Sequence, residues 1–167
     1  MTVHAMYDES IDLAGLLSRA GEETLRSISG LERIRRAHAE DALAQMIDRF
    51  IEIERDALDQ YERIRTALPA GARRSLEPLG EFGIPALDET GPTDVQESDH
   101  PAGALLVALK RRARAAALFG TLAARQRDPE VRGVLEALAA AERRRSHELR
   151  TAYRCAVRAA AGGAPAR

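Results

Sequence analysis

Four charged residues interrupt apolar stripes that otherwise follow helical spacing. Glu54 shares a stripe with Phe50 and Tyr61, and Arg112 replaces an apolar residue on a later stripe. Glu142 and Arg145 lie on a third stripe, three residues apart. A charged group inside a protein must be paired or must hold a counter-ion, because burying it alone is costly. These four residues are therefore the anomalies that a prediction of the core has to explain.

The elements that position these side chains are predicted to be helices. The periodicity indicates a helix near 10–29, and the Ser-Gly-Leu-Glu sequence at 29–32 predicts a turn or a kink near Gly30. A second helical run extends over 30–68, and a break between His38 and Asp41 remains open. A third helix is predicted from Pro101 to Gln126. A fourth begins after Asp128, where Pro129 and Glu130 form a strong start signal, and reaches about residue 160.

Proline and glycine recur so densely between 69 and 100 that the segment cannot form a long helix, which predicts an irregular crossover. With 167 residues, 45% hydrophobic and 31% charged, the chain is the size of one domain and is too apolar for a disordered polyelectrolyte. We expect a single all-α domain over 1–167, with loose termini at 1–9 and 161–167.

Composition also limits the function classes. The single cysteine, Cys155, excludes an internal disulfide and a cysteine-based zinc site, and we expect it to be a small buried residue. No apolar run is long enough to span a membrane, and the N-terminal residues lack a signal-peptide pattern. A cytoplasmic protein without a membrane partner is the expectation.

Charge is divided unevenly along the chain. Residues 1–100 hold 11 basic and 21 acidic side chains, a net charge of −10, whereas residues 101–167 hold 14 basic and 5 acidic side chains, a net charge of +9. This asymmetry favours acidic helices packing on basic ones, within one chain or in a homodimer or higher homo-oligomer. Arginine runs at 111–114 and 143–145 leave polyanion binding open as an alternative, although we do not expect nucleic acid as the partner.

An internal repeat relates the second and third helical segments. Residues 50–64 align with 108–122 at an offset of 58, which pairs Glu54 with Arg112 and Tyr61 with Phe119. With one residue of slip, 72–79 continue the match over 131–138.

Residues 104–153 carry a resemblance to a known family, most clearly through Ala108-Leu109-Lys110, Phe119, Asp128-Pro129-Glu130-Val131, Leu135-Glu136 and Glu142. This stretch resembles the second helix pair of the rubrerythrin branch of ferritin-like proteins, and 50–64 resembles their first helix. The resemblance implies an antiparallel four-helix bundle. It also implies that the second helix of the first pair is eroded, with the helix near 10–29 covering the vacated face.

Members of that family bind two iron ions through a Glu from one helix of each pair and a Glu-x-x-His from the other. By resemblance, Glu54 and Glu142 are residual ligand positions. Arg112 stands where a Glu is expected and Arg145 where a His is expected, while the remaining Glu-x-x-His falls on Gly83 and Ala86. A guanidinium cannot coordinate a cation, so we expect no bound metal and no other cofactor.

We therefore predict a core charge network of Glu54, Arg112, Glu142 and Arg145, with a surviving metal site or solvent-directed arginines as alternatives. The predicted function is that of a non-catalytic structural or protein-interaction module. An iron-handling protein or di-iron oxidoreductase, with a site completed between subunits, remains an alternative in which iron is the cofactor. A helical protein that binds polyanions is a second alternative.

Histidines outside this set are weak ligand candidates. Glu97 and His100 have Glu-x-x-His spacing, but Pro101 follows directly, so we expect Asp99 or His100 to cap the third helix. His38 precedes Glu54 by 16 residues, about 24 Å along a helix, and cannot share a metal with it in one chain. His147 is expected to face solvent or a neighbouring chain.

Overall fold

The computed structural model describes residues 12–39, 43–68, 76 and 100–162. These residues form four helices and no strands: α1 (Leu13–Ala37), α2 (Ala44–Ala67), α3 (Pro101–Arg125) and α4 (Pro129–Gly162). The predicted all-α class is thereby confirmed. Within the described ranges, no helix combines the length and the apolarity needed to cross a membrane. Residues 1–9 and all but two residues of the predicted crossover lie outside the description, as do 72–79 of the repeat except Leu76.

The first helix differs from its prediction at both ends. It begins after Asp12, whose Oδ1 accepts a hydrogen bond of 2.6 Å from the Gly15 amide. It then continues through Gly30, so the predicted turn there is wrong. Glycine costs a helix interior only about 1 kcal/mol, and buried Leu31 and Ile34 beyond it keep the apolar stripe intact. The open question of a break after 37 is answered, because α1 ends at Ala37 and α2 starts at Ala44.

The start signals of the later helices work as predicted. His100 is the N-cap of α3, and its Nδ1 accepts a 3.2 Å hydrogen bond from the Ala102 amide, which confirms its capping role. Asp128 Oδ1 accepts from the amide of Glu130 at 2.9 Å. The helix that follows reaches Gly162, so residues 161 and 162 are helical rather than part of a loose tail, and 163–167 lie outside the described residues.

Cys155 is exposed, and the prediction of a buried cysteine is wrong. Leu149 marks the buried side of this part of α4. Six residues further on, the helix has turned by about 600°, which places Cys155 about 120° away from the buried side. His147, by contrast, is exposed as expected.

The apolar core is divided into two clusters along the helices. One cluster joins the N-terminal part of α1 to the C-terminal parts of α2 and α3 and to the N-terminal part of α4, and it includes Leu17, Phe119 and Leu135. The other joins the opposite helix ends, through Leu31, Phe50, Ala108 and Leu149 among others. Between the two clusters, each helix carries at least one buried polar residue: Thr24 on α1, Glu54 on α2, Arg112 on α3, and Glu142 with Arg145 on α4. We call this set the polar layer.

Candidate core charge network

The polar layer contains all four charged residues singled out from the sequence. Glu54 of α2, Arg112 of α3, and Glu142 and Arg145 of α4 belong to one continuous set of hydrogen bonds. Glu54 and Glu142 are completely buried, Arg112 is 2% exposed and Arg145 is 9% exposed. Each of the four residues has mostly apolar residues on the same face of its helix, in the turns before and after it. This face packs toward the interior of the helix assembly, so the charged residue on it is buried as well.

Arg112 lies at the centre of the network and uses all five of its N–H groups. Its Nε and Nη2 donate to the two carboxylate oxygens of Glu54 at 2.9 and 2.6 Å, a bidentate pair. Nη2 also donates to Thr24 Oγ1 at 2.9 Å. Nη1 donates to Tyr61 Oη and to Glu142 Oε2, each at 3.0 Å. No donor of the most buried guanidinium is left without an acceptor, which removes most of the cost of its desolvation.

Glu142 connects the inner and outer parts of the network. Its Oε1 accepts from Tyr61 Oη and from Arg145 Nη1, both at 2.8 Å, and its Oε2 accepts from Arg112. The Tyr61 hydroxyl thus accepts one hydrogen bond from Arg112 and donates another to Glu142. A buried phenol with both functions occupied fixes the relative positions of α2, α3 and α4.

Arg145 carries the network to the surface. Its Nε and Nη2 donate to Asp56 Oδ2 at 3.2 and 2.7 Å, and the Asp56 side chain is 66% exposed. The outer pair is therefore in contact with solvent, whereas Glu54, Arg112 and Glu142 are not. A solvent-screened pair contributes much less than the buried ones.

Three members of the network were missed by sequence reasoning: Thr24, Tyr61 as a hydrogen-bonding group, and Asp56. Thr24 and Tyr61 lay on the inner stripes, and their polar atoms were the available signal. The Thr24 hydroxyl donates to Ala20 O at 2.7 Å while accepting from Arg112, so α1 also contributes to the layer. Asp56 occupies the exposed side of α2. Asp56 joins the network only because the long side chain of Arg145 reaches it. The spacing of residues in the sequence does not indicate this contact.

The internal repeat has a structural counterpart at two positions. Glu54 and Arg112, paired by the offset of 58, form the bidentate ion pair. Tyr61 and Phe119, also paired by that offset, pack with ring centroids 6.0 Å apart in an edge-to-face arrangement. Aligned positions on α2 and α3 therefore meet at the same level of the core.

Electrostatics keep the central groups in fixed protonation states. Burial lowers the pKa of Arg112, but the charges of Glu54 and Glu142 and the Tyr61 contact outweigh it, so the pKa lies well above its ordinary value. Burial raises the pKa of Tyr61 above that of an exposed tyrosine, and the charge of Arg112 opposes this shift only in part. At neutral pH the network therefore contains a permanent Arg112 cation and a neutral Tyr61 phenol.

The raised pKa of Tyr61 predicts a loss of stability in alkali. An unfolded tyrosine ionises near pH 10, while the folded state retains its proton to higher pH. The stabilising contribution is complete below pH 10 and decreases above it. We expect the difference in unfolding free energy between wild type and Tyr61→Phe to shrink by about 1.4 kcal/mol from pH 9 to pH 11. Urea denaturation at the two pH values measures this difference, and a constant difference would contradict the assignment.

A side-chain cation lies between the two carboxylates that the family resemblance makes residual ligand positions. Arg112 occupies the space between the carboxylates of Glu54 and Glu142 and uses an oxygen lone pair of each. Within the described ranges, no group of three or more His, Cys, Asp or Glu side chains is placed to hold a metal ion. His38 and His100 lie together at another place, with ring centroids 6.0 Å apart. The Glu-x-x-His positions at Gly83 and Ala86, together with Glu97 and Asp99, fall outside the described residues.

Comparisons with family models, with curated proteins and with solved structures gave no match to this chain. The interpretation of the network therefore depends on the geometry above.

Proposed function

We propose that this chain is a non-catalytic structural or protein-interaction module built on a degenerate ferritin-like bundle. The observation that carries the proposal is the placement of the Arg112 guanidinium between Glu54 and Glu142, with all three side chains buried. In the ferritin-like interpretation, Arg112 and Arg145 hold positions that belong to a Glu and a His ligand. The arginines supply positive charge there without supplying ligands.

The lack of reactive groups at the centre favours a structural role. A buried arginine is not a proton donor or acceptor at neutral pH, and a phenol with a raised pKa is a poor base. Redox and hydrolytic chemistry both need a group that changes state near working pH or a bound cofactor. The network instead provides directional contacts that specify how four helices meet.

We also propose that neighbouring helices run antiparallel and that a crossover joins α2 to α3. Arg35, near the end of α1, pairs with Asp48 near the start of α2. Arg49 near the start of α2 pairs with Glu148 on α4, and Tyr61 further along α2 bonds to Glu142 earlier on α4. The Glu54–Arg112 ion pair and the Tyr61–Phe119 ring contact both span 58 residues, as expected for two helices that run parallel. A parallel pair needs a connection that returns along the bundle, which suits the long segment at 69–100.

Iron analysis of gently purified protein tests the proposal. Protein expressed in iron-supplemented medium and purified without chelator is expected to contain far less than one iron per chain, as measured by inductively coupled plasma mass spectrometry. The matched sample is Glu54→Gln prepared in parallel and checked for folding; it lacks one residual ligand position, so the iron that it retains is adventitious. About two irons per chain or per dimer, together with oxo-bridged absorption, would instead establish the alternative of an iron-handling protein or di-iron oxidoreductase.

Self-association remains part of the proposal and is supported by the division of charge between the two parts of the chain. Light scattering during size-exclusion chromatography at 50 and 500 mM salt tests it. A dimer or larger species that dissociates at high salt supports association through charge. A monomer at both salt concentrations contradicts it.

A further inference from the structure

One side of α4 carries a row of exposed arginines. The α4 arginine face comprises Arg143, Arg144, His147, Arg150, Arg154 and Arg158, all of which are exposed. Their spacing of three or four residues keeps them within one broad side of the helix, away from buried Glu142 and Leu149. Over 15 residues at 1.5 Å each, the row is about 22 Å long.

These arginines lack the carboxylate partners that most arginines on α2 have. On α2, Arg49, Arg55 and Arg65 each pair with a glutamate. The five arginines of the α4 arginine face have no ion pair with any residue that the structure describes. Glu148 is the only acidic residue between 143 and 158, and it is directed to Arg49 on the α2 side. The positive charge on this face is therefore not neutralised locally by the described helices.

The same face offers almost no apolar surface. Among the described side chains of α4, Val157 is the one large hydrophobic residue with substantial exposure, at 42%. The apolar stripe of the helix is buried against the core. A stable protein interface needs an apolar centre, and a helix lying on a membrane needs an apolar face to insert. A phosphate backbone needs neither, because arginine forks and released counter-ions supply the binding free energy.

We infer that the α4 arginine face binds the phosphate backbone of double-stranded nucleic acid without reading its sequence. The inference goes beyond the proposed function, because it assigns a polyanion partner to a bundle proposed above as a structural or protein-interaction module. It differs from the expectation from sequence, in which polyanion binding is an open alternative but nucleic acid is not the expected partner. The run Arg143–Arg145 is divided between two environments. Arg145 donates to Glu142 in the core network, whereas Arg143 and Arg144 are exposed on the α4 arginine face.

Fluorescence anisotropy with a labelled 24-base-pair DNA duplex tests the inference on the full chain. Four phosphate contacts predict a dissociation constant in the micromolar range at 50 mM salt, and about 100-fold weaker binding at 200 mM. The triple variant Arg144→Gln/Arg154→Gln/Arg158→Gln should reduce the salt dependence of log affinity by about 3. It should also lose more than 10-fold in affinity at 50 mM salt.

A matched variant separates this face from net charge. Arg55→Gln/Arg63→Gln/Arg65→Gln removes the same charge from the exposed side of α2 and should weaken binding less than threefold. No binding of the duplex by wild type at 50 mM salt would overturn the inference, as would equal losses in the two variants. Tighter binding of poly-glutamate or phosphatidylserine vesicles than of the duplex would also overturn it. An iron-free protein that ignores the duplex overturns this inference alone and leaves the proposed function standing.

Discussion

Replacing Arg112 with leucine should lower the free energy of unfolding by about 3–5 kcal/mol, the usual cost of removing one partner from a buried ion pair. Of the two carboxylates that pair with Arg112, Glu54 loses more hydrogen bonds than Glu142. Glu54 accepts two hydrogen bonds, both from Arg112, so the substitution leaves a fully buried carboxylate with neither of them. Glu142 is affected less, because Tyr61 and Arg145 still donate to it.

Removing Glu54 as well should restore part of that loss. Arg112→Leu/Glu54→Leu leaves no isolated carboxylate, and two apolar side chains fill part of the vacated volume, so the double variant should be more stable than the single one. Urea denaturation of both proteins measures the difference. The matched control is Arg114→Leu on the same helix, which is half-buried and has no ion pair with any residue that the structure describes. Its cost should be below about 1 kcal/mol.

Equal stability of the Arg112 single and double variants would contradict the network. Together with the single variant Glu54→Leu, these proteins form a double-mutant cycle. The cycle distinguishes a core in which Arg112 and Glu54 are paired from the alternative in which the arginines turn to solvent. In that alternative, Arg112→Leu would cost little and Glu54→Leu would act independently, with the two effects additive.

The substitution Glu142→Gln should be the second most damaging change, with a loss of about 2–4 kcal/mol. Glu142 accepts three hydrogen bonds, from Tyr61, Arg112 and Arg145. A glutamine of the same shape turns one acceptor oxygen into an NH₂ donor that faces other donors, and it removes the negative charge that balances the two guanidiniums. Thermal and urea unfolding of the variant measure the loss.

Glu148→Gln provides the control for this substitution. Glu148 lies on the same helix, six residues away, and pairs with Arg49 in an exposed position. Its replacement should cost less than about 1 kcal/mol, because solvent screens exposed pairs. If Glu142→Gln and Glu148→Gln were equally tolerated, the buried carboxylate would not be holding the helices together.

Much of this architecture could be predicted because helical periodicity places residues on faces. The inward positions of Glu54, Arg112 and Glu142 followed from stripes of apolar neighbours, and all three are buried. The caps at His100 and Asp128 followed from local chemistry that depends only on adjacent residues. These features are determined within one helix or one turn.

What the sequence left undetermined depends on contacts between helices. Thr24 is separated from Arg112 by 88 residues, and no spacing rule indicates that its hydroxyl would accept the fifth N–H of the guanidinium. Gly30 illustrates the opposite error, since a local turn signal was overruled by packing on both sides of it. Cys155 is a further error: a free cysteine is usually buried, but the position of Cys155 on α4 turns it away from the core.

The side-chain N–H signals of Arg112 test the central claim most directly. In ¹⁵N-arginine protein, the Arg112 Nε–H resonance, assigned by its loss in Arg112→Leu, should exchange with solvent thousands of times more slowly than those of exposed arginines. It should also keep its position and width when paramagnetic Co²⁺ is added in slight excess, because the guanidinium already occupies the space between the two carboxylates. Rapid exchange, or broadening of this resonance by stoichiometric Co²⁺, would contradict a core closed by arginine and would indicate a metal site beside Glu54 and Glu142.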